Sequence, residues 1–158
     1  MTANYVTAPY ATDAEIGALV QGFLDLTLPK AEWTHAAHFA TTLWLMRHRP
    51  ELDLPVRMPD LIRAYNASVG GRNTDTEGYH ETITQASLAA ARTFLAGREE
   101  GEPLHEMVAA LMASPLGRSD WLLAHWSRER LFSVEARRAW VGPDLAPLPS
   151  SFGPAGTK

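Results

Sequence analysis

Six histidines and no cysteine bound the side-chain chemistry open to this chain. Two of them stand one helical turn apart in Trp33-Thr34-His35-Ala36-Ala37-His38. From Trp33 to Met46 no other side chain can titrate. A third histidine precedes a carboxylate in Gly78-Tyr79-His80-Glu81-Thr82. Positions i and i+3 share one face of a helix. If the helix carrying His35 and His38 packs beside the one that begins near His80, three imidazoles converge. Three protein ligands with one open position is the pattern of a catalytic metal. Such an ion lowers the pKa of bound water toward about 7 or polarises a carbonyl. The expected ligands are therefore His35, His38 and His80, around one divalent ion. Neutral imidazole suits Zn, Ni, Cu or Fe(II) equally.

Glu81 and Tyr79 are the catalytic candidates that go with this site. Glu81 can act as general base beside a metal-bound water, or as a fourth ligand. Its plainer role is an acid near a helix N-terminus, where it favours the helix dipole. His80-Glu81-Thr82-Ile83-Thr84 matches the zincin pattern H-E-x-x-H in its first two residues only. Thr84 stands where the second histidine belongs, which excludes a zincin. Arg63 can fork onto a carboxylate or phosphate. Asn66, Asn73 and Arg128 join it as candidate substrate contacts, and His125 is a candidate fourth site residue. The chemistry this set suits is a hydrolytic or lyase-type step on a small polar substrate. A reading from another class is a non-catalytic ligand-binding or regulatory protein, whose buried histidines hydrogen-bond a ligand or each other. A third is a structural role, with the histidines filling the core.

These residues need helices to position them. Thr12-Asp13-Ala14-Glu15 fits a capping box before an apolar stripe that ends near Leu26. Pro29 can open a second helix over residues 29–48, apolar nearly all round and therefore buried. Pro59 can open a third over 59–69. Gly70-Gly71-Arg72-Asn73 signals a loop. Thr74-Asp75-Thr76-Glu77 matches a second capping box, which predicts a fourth helix over 75–97. A fifth is expected over 103–114, a short one after Ser119 or Asp120, and a last turn over 133–140. From Val141 on, prolines predict an extended tail. The fold class expected is all-α, a bundle of about four long helices with short C-terminal ones appended.

At 158 residues the chain is long enough for one domain with a real core, expected over residues 1–149, with a disordered tail over 150–158. A net charge of −4 argues against nucleic acid or an anionic membrane as partner. The absence of cysteine rules out disulfides and thiolate metal sites. The N-terminus lacks the pattern of a signal peptide, and no apolar run is long enough to span a bilayer. The expectation is a soluble, cytoplasmic protein, with a homodimer left open.

The two histidine motifs, together with Ser127-Arg128-Glu129-Arg130-Leu131-Phe132-Ser133 and Pro143-Asp144-Leu145, resemble a family of small uncharacterised bacterial proteins. That resemblance covers residues from about 30 to 149 and implies no particular reaction. More loosely, a helical bundle with three histidines resembles the DinB/YfiT-like metalloenzymes, on architecture and histidine count.

Overall fold

A computed structural model describes residues 8–150. Among the described residues there are seven α-helices and no strand, so the chain is all-α. The helices are α1 (Asp13–Leu24), α2 (His35–His48), α3 (Leu54–Ser68), α4 (Glu81–Ala96), α5 (Leu104–Ala113), α6 (Arg128–Leu131) and α7 (Val134–Arg138). Short 3-10 turns lie at Lys30–Glu32, Pro115–Gly117 and Trp121–Ala124. The disordered tail expected for 150–158 falls, from residue 151, outside the described residues. So does the stretch before residue 8.

Helix α2 is the centre of the molecule. It packs on α1, α4 and α5, while α3 leans on α4 and α1, and α7 closes against α4. Its small residues explain this. Ala37, Ala40 and Thr41 are fully buried, and their short side chains let neighbouring backbones come close. Around them Phe23, Leu43, Leu45, Met107, Leu111 and Trp126 fill the core.

Three helix starts differ from the sequence-based expectation, each for a local reason. The second helix begins at His35, not at residue 29. Lys30–Glu32 forms a 3-10 turn, Trp33 leaves helical geometry, and Thr34 caps α2 by accepting from Ala37 N at 3.1 Å. The third begins at Leu54, not at Pro59. Pro55 sits in its first turn, where a missing N–H is harmless. Pro59 lies inside the helix, and the Pro55 carbonyl that its absent N–H would have met accepts instead from Gln85 Nε2 of α4 at 2.8 Å. The fourth begins at Glu81, not at residue 75. The Thr74 pattern forms a turn, with Thr74 N donating to Glu77 O, and His80 takes the cap position.

Other starts follow their signals. Thr12 caps α1 by accepting from Glu15 N, and Glu15 accepts from Ala11 N in return. Ser127 and Ser133 cap α6 and α7. Asp13 of α1 caps α5 from outside, accepting from Leu104 N at 3.1 Å and His105 N at 2.8 Å. The segment after α7 is irregular but fastened. Trp126 Nε1 donates to Val141 O at 3.0 Å, and Asp144 accepts from both the backbone N and the hydroxyl of Ser127.

Candidate functional site

A cavity of about 900 Å³ opens among α2, α3, α4, the loop between α3 and α4, and the segment from Ser119 to Phe132. That volume falls within the range of small-molecule sites. Of the residues singled out from sequence, His35, His38, His80, Tyr79, Asn66 and Arg128 line it. Glu81, Arg63, Asn73 and His125 do not.

The Gly78–Thr82 motif is a clamp. Gly78 has φ +80°, and a Cβ there would lie 2.0 Å from Arg72 O, so glycine is required. Asn73 holds the loop. Its Oδ1 accepts from Tyr79 N at 3.0 Å and Asn66 Nδ2 at 3.1 Å, and its Nδ2 donates to Arg63 O at 3.2 Å. Tyr79 is buried and its hydroxyl donates to Glu81, which also accepts from Gln85. Burial first, then Glu81, pushes the Tyr79 phenol well above its usual range. The Arg63 guanidinium lies 4.3 Å over the Tyr79 ring and also meets Asp60, so it stabilises the loop from outside. Thr82 is fully buried. Its hydroxyl donates to Ala139 O at 3.0 Å and accepts from Val141 N at 3.1 Å.

His80 is occupied on both ring nitrogens. Nδ1 accepts from Ile83 N at 3.2 Å as the cap of α4, and Nε2 donates to Leu131 O at 2.8 Å. These bonds define the neutral tautomer protonated on Nε2. Burial lowers its pKa, opposed in part by Leu131 O. His35 uses one nitrogen. Its Nε2 donates to Leu116 O at 2.7 Å, and the ring stands edge-on to Phe39.

His38 is different. No protein hydrogen bond among the described residues reaches its ring nitrogens. The ring lies 4.0 Å from Trp33, centroid to centroid. Trp33 stacks in turn on Phe23 at 4.5 Å and meets Tyr65 at 5.3 Å. Tyr65 is pinned by its hydroxyl, which donates to Leu28 O at 3.0 Å. His38 lines the cavity and keeps an exposed surface. The protein packed around it, helped by the charge of His35, pushes its pKa down to about 4. At neutral pH it is an uncharged ring with one donor and one acceptor to offer.

The three histidines share a cavity but do not make a metal cage. Among the described residues no three His, Asp or Glu side chains are placed to hold an ion together. To ligate the expected Zn, Ni or Fe, His80 would have to release either the α4 cap or Leu131. Glu81 faces Tyr79 and Gln85, not the cavity. His125 fastens the C-terminal segment, with Nδ1 3.1 Å from Pro147 O.

Comparison with protein-family models, curated proteins and solved structures finds no match.

The bottom and walls of the cavity are thus this chain's own statement of what it can hold. Phe39, Met58, Ile62, Ile83 and Leu88 make much of the wall apolar, and Thr42, Thr84 and Ser87 add scattered hydroxyls. Reading the sequence did not single out these residues as site residues. The signal for Thr42, Thr84 and Ser87 was present, since Thr42 shares the His35 stripe and the other two share the stripe below His80. What no sequence pattern marked was the empty space in front of them.

Proposed function

We propose that this chain binds a small, largely apolar molecule in the cavity among α2, α3 and α4, with His38 as its polar anchor. One observation carries the reading: a neutral imidazole, stacked near Trp33 and without a protein hydrogen bond among the described residues, lines an open-mouthed cavity of about 900 Å³. An imidazole open to the cavity can exchange its contact with water for one with a ligand. A ligand with one hydroxyl, carbonyl or amide near His38 would supply that contact. Proton transfer is poorly served, because a base with a pKa near 4 is weak at neutral pH and the Tyr79 phenol is a reluctant acid. Binding, not acid–base catalysis, is the chemistry these groups favour.

The test uses the neutral fluorophore N-phenyl-1-naphthylamine. Its emission should rise on titration with the wild type and stay flat with Ser87→Trp, which places an indole in the cavity. His38→Phe should keep the apolar probe, while weakening any ligand that hydrogen-bonds the imidazole by about tenfold. No emission change with folded wild type would sink the binding reading. A second reading, a metal-dependent hydrolase or lyase on His35, His38 and His80, draws support from the unpartnered nitrogens of His35 and His38 on one wall. It requires His80 to leave its cap, and metal analysis separates the two readings.

A further inference from the structure

The rim of the cavity has a charge pattern that its interior lacks. Lys30, Arg72 and Arg128 line it, from the turn before α2, the α3–α4 loop and the first residue of α6. None of the three is paired with a carboxylate among the described residues. Two acids share the rim, Glu77 and Asp120. Asp120 already accepts from Arg118 at 3.1 and 3.4 Å, which holds its carboxyl below the usual range and leaves it spoken for. Three cations without an ion-pair contact among the described residues therefore stand with two acids at the mouth of an apolar cavity, Asp120 feeling the charge of Arg128 as well as of Arg118, in a chain whose net charge is −4. Local positive charge set against a negative whole marks a place where an anion is favoured.

We infer that the ligand is a carboxylic acid with an apolar body: the body fills the cavity below, and the carboxylate sits at the mouth between Arg72 and Arg128. This rests on the binding function proposed above and adds the class of ligand. Guanidinium matches carboxylate geometry and forms charge-assisted hydrogen bonds to it. Among the lining residues three cations stand against the two acids Glu77 and Asp120, and this excess of one positive charge is balanced by a monoanion, which favours a carboxylate over a phosphate monoester. The aromatic side chains Trp33, Phe39, Trp121 and Phe132 on the wall accept an alkyl chain or a flat ring system alike.

The experiment measures displacement of N-phenyl-1-naphthylamine by two matched sets. One is dodecanoate, dodecanol, dodecylamine and dodecyl phosphate. The other is biphenyl-4-carboxylate and 4-(hydroxymethyl)biphenyl. Each is run with wild type, Arg72→Gln, Arg128→Gln and the double variant, at low and at moderate salt. The acids should compete about tenfold better than the matching alcohols, and the amine should be the poorest. The double variant should bring acid and alcohol within about twofold, and added salt should narrow the gap in the wild type. Both arginines are exposed, so these variants should fold and still bind the neutral probe. Equal competition by acid and alcohol in the wild type would overturn the carboxylate assignment while leaving the binding function standing. A phosphate that competes better than the carboxylate would overturn it as well. Failure of the neutral probe itself to bind the wild type would remove the binding function, and this inference with it.

Discussion

His38 and Gly78 show how much rests on single residues. The pKa of His38 is held at about 4, against an ordinary value of 6.5. Between these values the unfolded chain takes up a proton that the folded chain refuses. Stability therefore falls as the pH drops from 6.5 toward 4, and levels off below. His80, lowered for the same reason of burial, acts in the same direction. His38→Phe should remove part of this slope, so its denaturant midpoint should drop less than that of the wild type between pH 7 and pH 4.5. Equal drops in the two proteins would mean that His38 does not titrate in that window. Gly78→Ala should lower stability by about 2–3 kcal/mol, because the residue has φ +80° and its Cβ would strike Arg72 O. Gly70, also at positive φ but with open space around it, is the control: Gly70→Ala should be milder. A smaller loss at Gly78 than at Gly70 would contradict the clamp.

At the scale of elements, the N-terminus of α4 is the joint of the molecule. His80 caps it and reaches Leu131 at the end of α6, while Thr82 reaches Ala139 and Val141 beyond α7. Arg137 returns the contact by donating to Gly78 O at 2.9 Å, and Arg138 forms a forked ion pair with Asp75. Thr82→Val keeps the shape but leaves Ala139 O and Val141 N without their partner. It should cost about 1–3 kcal/mol and speed amide exchange from residue 139 onward before it affects α2. Uniform loss of protection across the whole chain would show that the C-terminal segment does not open separately. The Asp75–Arg138 pair is exposed, so breaking it should change stability far less than Thr82→Val.

For the whole molecule, the cavity exists because three helices and the returning C-terminal segment surround a space none of them fills. Protein purified without a tag or chelator should carry well under one Zn, Ni or Fe per chain by plasma mass spectrometry. About one ion per chain, lost in both His35→Ala and His80→Ala, would restore the metalloenzyme reading. A neutral ligand that fits should raise stability by about 2.7 kcal/mol at a hundredfold excess over its Kd, with the shift abolished in Ser87→Trp. Among the described residues, no helix is long and apolar enough to cross a membrane.

Local order was legible in the chain. Thr12 and Ser133 announced their helix starts, because a hydroxyl beside free backbone N–H groups acts within a few residues. The run from Trp33 to Met46 announced a buried central helix, since solvent would not tolerate so much apolar surface. The residues His35, His38, His80 and Tyr79 were recognisable as a group and do line one cavity. Their roles were not legible. Whether an imidazole caps a helix, bonds a carbonyl or stays open depends on atoms far along the chain: Leu131 is 51 residues from His80 and Leu116 is 81 from His35. The same holds for the start of α3, where a carbonyl freed by Pro59 is satisfied by Gln85 across a helix interface. Sequence by itself determined the helices and the side chains able to do chemistry, because those follow from short-range spacing and composition. Tertiary structure alone decided which nitrogens remain open and what space they face, because hydrogen bonds between distant segments had first to be made.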